Sequence, residues 1–251
     1  MRPSRCSVLV CFLTPIAFGA DRPEAINLRT PPVHATLPIG GQAVGITAWA
    51  ELSGRSDAPL HFTVTADLAE LQANITPLLA ADLNRSNRCG ERLEVQSATL
   101  AAAAPSALLN LHVHYERWAC AKAMGREIAK RLVGGNAVLD VRLNPSVESG
   151  APALHADVKS IDADGSLGDA LKSGSLGDTL REKIRTSVEA AVAKVATAPA
   201  LPAEVNGVAQ LGGAAFRDGG QGRLWFSVEG EVRLTPDQLR ALAVPVTEPR
   251  P

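Results

Sequence analysis

The chain has 251 residues, with 25 Lys and Arg against 26 Asp and Glu, and only 4% aromatic residues. That near balance of charge argues against a nucleic-acid partner, which wants a basic face, and against a polybasic membrane-surface protein. With one tyrosine and few other rings, a base-stacking platform is poorly supplied, and the core must be built from Leu, Val, Ile and Ala.

Arg2 and Arg5 open the chain, an uncharged run follows from Ser7 to Phe18, and small residues (Ala17, Gly19, Ala20) precede Asp21. A charged start, a short apolar stretch and a small-residue cleavage site make a secretory signal over 1–20. The apolar run is shorter than the roughly twenty residues a membrane span needs, and no later segment is long and apolar enough. The expectation is an exported protein, periplasmic or extracellular, with no transmembrane segment after cleavage. Cys6 and Cys11 leave with the signal, and Cys11 sits too early to be lipidated at the cleavage point. Cys89 and Cys120 remain as an even pair in an oxidising compartment and are read as one disulfide. Two buried thiols are the alternative. No further Cys or His stands at ligand spacing from either, which argues against zinc there.

The Pro-rich stretch 21–38 is expected to be an extended arm or linker. Gly40 to Leu52 reads as a first strand, and Leu60 to Ala66 as a second by its alternation. Asp67 is a plausible N-cap with Glu70 at capping-box spacing. Leu68, Leu71, Ile75 and Leu78 then share a helical face, which Pro77 should kink or break. Arg92 to Leu100 and Leu108 to Trp118 alternate as strands, the disulfide clamping the open end of their hairpin. Ala121 to Val133 reads as a short helix or irregular, ended by Gly134 and Gly135. Ala137 to Leu143 and Leu154 to Ile161 form another strand pair. A helical region follows in which Ser166-Leu167-Gly168-Asp169 recurs as Ser175-Leu176-Gly177-Asp178, with a break at Gly174. Strands are expected at Glu204 to Leu211 and Arg223 to Leu234, around a Gly-rich turn. Thr235-Pro236-Asp237-Gln238 should start a short helix, before a tail at 246–251.

One order occurs twice, over 60–120 and 166–234: amphipathic helix, strand, turn, long strand. The fold class expected for a single domain over 39–245 is α+β, a curved antiparallel sheet packed against one or two long amphipathic helices. The helix Leu176 to Val195, followed by Leu201-Pro202 and two strands, resembles the helix-to-strand passage of the tubular lipid-binding superfamily, whose members include proteins similar to bactericidal/permeability-increasing protein. The Cys89–Cys120 pair is similar to the single disulfide of the bactericidal members. The resemblance lies in element order and carries over no functional residue. It implies a long helix along a bent sheet, with an apolar groove for a lipid tail.

For chemistry, His112, His114 and Glu116 are the sharpest candidate, because residues two apart on a strand share a face and could present a metal-binding row. The plainer reading, the solvated face of a half-buried strand, is favoured. No G-x-S-x-G elbow, P-loop or dinucleotide fingerprint is present, and Ser166 and Ser175 read as helix caps. Asp162-Ala163-Asp164-Gly165 reads as a turn, since the later Glu of a calcium loop is missing. The function expected first is non-enzymatic binding of a lipid or other hydrophobic ligand, without a cofactor. Its groove would be lined by Leu171, Leu176, Leu180, Ile184, Val188 and Val192. The alternative is an exported scaffold or protein-interaction domain with a filled core, using an edge strand or the arm. A metal-dependent hydrolase on His112, His114 and Glu116 is the third.

Overall fold

A computed structural model describes residues 25–39, 41–86, 89–123, 126–172, 175–196, 209–235 and 238. The signal over 1–20, the strand start at 204–208 and the C-terminal tail lie outside the described residues. So do the side chains of Leu176 and Val192. Among the described residues the architecture is two antiparallel sheets with three helices, an α+β arrangement.

The first sheet takes β1 (Ala25–Arg29), β2 (Val33–Ile39), β3 (Gln42–Arg55) and β4 (Leu60–Asp67) from one end of the chain, and β10 (Ala209–Asp218) and β11 (Leu224–Val232) from the other. Its order is β1-β3-β4-β11-β10. From residue 25 onward, the stretch expected as an arm is therefore part of the sheet. β2 pairs with β3 from Gln42 to Ala48 and β1 pairs with it from Glu51 to Arg55, both along the edge that β4 leaves open. Between them Thr30 bonds Ala50 through both its backbone N–H, to the Ala50 carbonyl, and its hydroxyl, from the Ala50 N–H. Prolines are tolerated here because an edge strand can turn a position without an N–H toward solvent.

The second sheet is a meander, β5 (Arg85–Ser86), β6 (Gly90–Ala103), β7 (Ser106–Ala123), β8 (Arg126–Glu148) and β9 (Ala151–Ala163). Alternation along β7 puts Leu109, Leu111, Val113 and Tyr115 on one face, each at most 2% exposed. Across the strand pair stand Val141, Leu139, Ala137 and Gly135. Against this inner row pack α1 (Ala69–Leu83), α2 (Gly165–Lys172), α3 (Ser175–Ala196) and strands of the first sheet, in one core. Leu52, Leu60, Phe62 and Val232 form a smaller cluster at the far end of the first sheet.

Local details depart from the sequence expectations for physical reasons. Pro77 lies inside α1 without ending it. The lost hydrogen bond is outweighed by burying Leu78, Leu79 and Leu83 beyond it. Asp67 accepts from the Ala69 N–H, but the box with Glu70 does not form, since Leu68 is the N-cap residue. The Glu70 carboxylate lies instead over Gly45 of β3, where a Cβ would come within 2.2 Å of it. Ser166 does not cap α2; its hydroxyl points toward the Gly134 carbonyl. Gly134 and Gly135 do not end an element but lie within β8. At Gly135 a Cβ would meet the Asp164 carbonyl at 3.0 Å and Leu167 at 3.2 Å, so the missing side chain lets α2 approach the sheet. The Thr235 hydroxyl accepts from the Gln238 N–H and the Gln238 side-chain oxygen accepts from the Thr235 N–H, a reciprocal cap.

The repeated helix-strand-strand order is present, but its two hairpins enter different sheets. β6 and β7 belong to the second, whereas β10 and β11 return to the first, where β11 pairs with β4. One side chain ties the two together. The Gln72 amide of α1 donates to the Leu100 carbonyl of β6 and the Gly222 carbonyl, and its oxygen accepts from the Leu224 N–H of β11. Gln72→Ala is expected to lower unfolding free energy by about 1–3 kcal/mol in a denaturant titration, because partly buried backbone groups lose their partner. An unchanged midpoint would show that water replaces the amide.

Candidate functional site

The residues singled out by the sequence separate into three places. The first is the helical stripe. Leu180, Ile184 and Val188 are 3%, 0% and 0% exposed and belong to the main core. α3 lies along β9, where Glu189 accepts the Ala156 N–H while bonded to Arg185. The apolar pocket beside the stripe, between Leu83, Leu93, Tyr115, Leu180 and Ile184, measures about 20 Å³, room for about one water molecule. Glu91 and Lys183 form an ion pair at its rim. Leu171 is only partly buried and borders a larger, mainly polar cleft of about 580 Å³ with Asp162, Asp164, Asp178 and Arg181.

Tyr115 stands over the small pocket. Its hydroxyl is buried and has no hydrogen-bond partner of good geometry, although the Glu91 carboxylate is close enough to act on it. Burial first, and then that negative charge, push its pKa up to about 12. Glu91 itself is held below the usual carboxylate range, first by its hydrogen bond from Lys183. Tyr115 is the only tyrosine in the chain, so an absorbance titration reads it alone. The midpoint is expected near 12 in the folded protein and near 10 in denaturant. A native midpoint near 10 would show the ring to be open to water.

The second place is the outer face of the second sheet, which carries the His112, His114, Glu116 row. Here Asp140 accepts from Asn110 at 2.7 Å and from Ser160 at 2.8 Å, a polar ladder over three strands. Those two bonds, Asn110 first, lower its pKa. His114 Nδ1 faces Asn136 Oδ1 at 2.8 Å, and its Nε2 is 3.6 Å from Glu116. His112 is exposed and stands apart from that contact. Glu116 is occupied by Trp118 Nε1 at 2.8 Å, Arg131 at 3.0 Å and Arg92 at 3.7 Å. Among the described residues no group of three His, Cys, Asp or Glu is arranged to hold a metal ion. The row thus brings His114 and Glu116 together, yet spends the carboxylate on an indole and two guanidinium groups.

The third place went unread in the sequence. The stretch 121–133, expected as helix or irregular chain, continues β7 and β8. Their pairing runs on from Trp118↔Arg131 to Ala123↔Arg126, whereas β6 pairs no further than Gly90↔Trp118 and β9 only from Ala137 onward. Among the described residues the result is a two-stranded ribbon without a third strand. Cys120 is inside β7 rather than just after it, and its bond to Cys89 clamps the root of the ribbon. Closing 31 residues stabilises by about 3–4 kcal/mol in the chain-entropy model. Arg92 also stacks over Trp118 at 4.5 Å. A readable signal existed: two short runs separated by two residues ending in Gly125, a hairpin spacing.

The chain matches no protein-family model, and no curated protein is significantly similar to it. No helix of the described residues is long and apolar enough to cross a membrane.

Hydrogen bonds from Trp118 first, and then from Arg131, hold the Glu116 carboxyl below its usual range. Because folding lowers this pKa, the stability it contributes is complete above about pH 4.3, the unfolded value, and is lost as pH falls through the folded one. The stability advantage of wild type over Glu116→Gln is therefore expected to shrink between about pH 5 and pH 3. A constant difference across that range would show that the ionised carboxylate does not hold the ribbon's root.

Proposed function

We propose that this chain is an exported, non-catalytic docking module, a filled body that presents the β7–β8 ribbon to a partner. The observation that carries the reading is the ribbon itself. A hairpin standing alone is marginally stable in water, and this one extends past both neighbouring strands with Ile128 and Leu132 at 57% and 58% exposure. A disulfide and a cluster of charged and aromatic side chains brace its root. Exposed apolar side chains on a braced projection fit a contact surface better than an internal packing element.

The packing of α3 supports the same side of the choice. A tubular lipid-binding fold would need a bent sheet around a long helix and an open apolar groove, and a lipid tail takes several hundred Å³. The space beside Leu180 and Ile184 is about 20 Å³, and the larger cleft beside Leu171 is mainly polar, lined by Asp162, Asp164, Asp178 and Arg181. The absence of a nucleophile-base pair in the sequence and the engagement of Glu116 favour a non-catalytic role. Export rests on the predicted signal, and the disulfide is compatible with it.

Native mass spectrometry of the protein secreted from its exporting host, purified without detergent, tests the filled body. The expected mass is that of the bare mature polypeptide with one disulfide. A stoichiometric excess of several hundred daltons that disappears on organic extraction would overturn the filled body and restore the hydrophobic-ligand carrier.

A further inference from the structure

The geometry points to an anionic lipid bilayer as the surface on which the β7–β8 ribbon docks. This inference rests on the docking reading above and adds the chemistry of the partner. The sequence 117–133 holds five cations (Arg117, Lys122, Arg126, Lys130, Arg131) and one acid, Glu127, a net charge of +4 in a chain whose total is −1. The overall balance, which at sequence level spoke against a membrane surface, conceals a cationic projection on an otherwise acidic body.

The placement of the side chains matters as much as the count. Arg117, Lys122, Lys130 and Arg131 are all exposed. Arg131 is engaged with Glu116. Lys122 and Lys130 make no ion pair or hydrogen bond among the described side chains; Lys122 stands opposite Glu127 in the ladder, and Lys130 opposite Ala119. Ala119 and Ala121 continue the inner line of Leu109, Leu111, Val113 and Tyr115 past the end of the core. Across from them stand Lys130 and Ile128. Leu132 occupies the register shift between Val133 and Arg131 and is equally open. Apolar side chains flanked by cations on one projection are the pattern that places aliphatic groups at the headgroup boundary while ammonium and guanidinium groups meet lipid phosphates.

The same charges disfavour a second copy pairing edge to edge along this ribbon, because like charges would face each other. An acidic protein shares the charge complementarity, but it does not need two large aliphatic side chains held open to water on the same ribbon as the lysines. From Trp118 to Ala123 the ribbon is about 20 Å long, so it can reach a bilayer while the acidic body stays clear of the like-charged surface.

The test is co-sedimentation of the full mature chain, disulfide intact, with vesicles of phosphatidylglycerol in phosphatidylcholine, against phosphatidylcholine alone. Binding is expected only to the anionic vesicles and is expected to fall steeply with salt. Lys122→Glu/Lys130→Glu should weaken it by more than about twentyfold. Ile128→Ser/Leu132→Ser should weaken it while leaving the salt dependence in place. The charge-matched control Arg142→Glu/Lys159→Glu, on the body, should bind as wild type does. Circular dichroism melts show whether each variant keeps its fold. Absence of wild-type binding, or equal losses in the ribbon and body variants, overturns the proposal. So does retention on immobilised polyglutamate without vesicle binding, which would assign the ribbon to an acidic protein. None of these failures alters the bare mass expected above, so failure of the lipid assignment and failure of the filled body are read separately.

Discussion

The pairing of β7 with β8 is the interaction on which the rest of the molecule depends. It runs from Ala107↔Leu143 to Ala123↔Arg126, the longest ladder among the described residues. Over its first half it supplies a dry inner row, Leu109, Leu111 and Val113 opposite Val141, Leu139 and Ala137, against which the helices and the first sheet close. From Ala119 to Ala123 the same ladder continues past the ends of β6 and β9, with no third strand among the described residues. The body and the ribbon are thus two parts of one strand pair, distinguished by whether a third strand and a helix lie alongside.

That division explains where the polar side chains go. Next to the body, the outer face of the ladder is tied laterally by Asn110, Asp140 and Ser160. At the point where the flanking strands stop, lateral ties are replaced by stronger ones: Glu116 between two arginines and an indole, and Cys89 bonded to Cys120. A carboxylate so engaged is a poor metal ligand or general base, since its lone pairs are already committed. The most chemistry-like motif in the sequence is therefore better understood as bracing, and the docking proposal draws its strength from what that bracing holds out.

Much of this was legible beforehand, and the parts that were not share a cause. The alternation of β7, the apolar stripe of α3, the disulfide and the Thr235–Gln238 cap all depend on neighbours a few residues away or on a compartment read from the first twenty residues. The stretch 25–38 looked like an arm because its prolines break local patterns; it is held as strands by β3, whose Gln42–Arg55 edge it covers in two pieces. The stretch 121–133 reads as helical or irregular because its charges hide the alternation; its one local signal is the two-residue spacing that ends in Gly125, and the pairing of β7 with β8 makes it a hairpin. His112, His114 and Glu116 are alternate residues of β7, but the arginines that claim Glu116 come from β6 and β8.

The sequence by itself determined the period of each strand and helix, and so which face of each is apolar, because that follows from covalent geometry. It also supplied Cys89 and Cys120, which the fold brings together as a disulfide. Tertiary structure decided the rest: that the apolar stripe Leu180, Ile184, Val188 is packed rather than open, that two similar hairpins join different sheets, and that one strand pair outruns its neighbours. Those outcomes depend on contacts between residues far apart in the chain, such as Gln72 with Leu224, 152 residues on. Local propensity has no term for such contacts; they form only when the whole chain has closed around a common core.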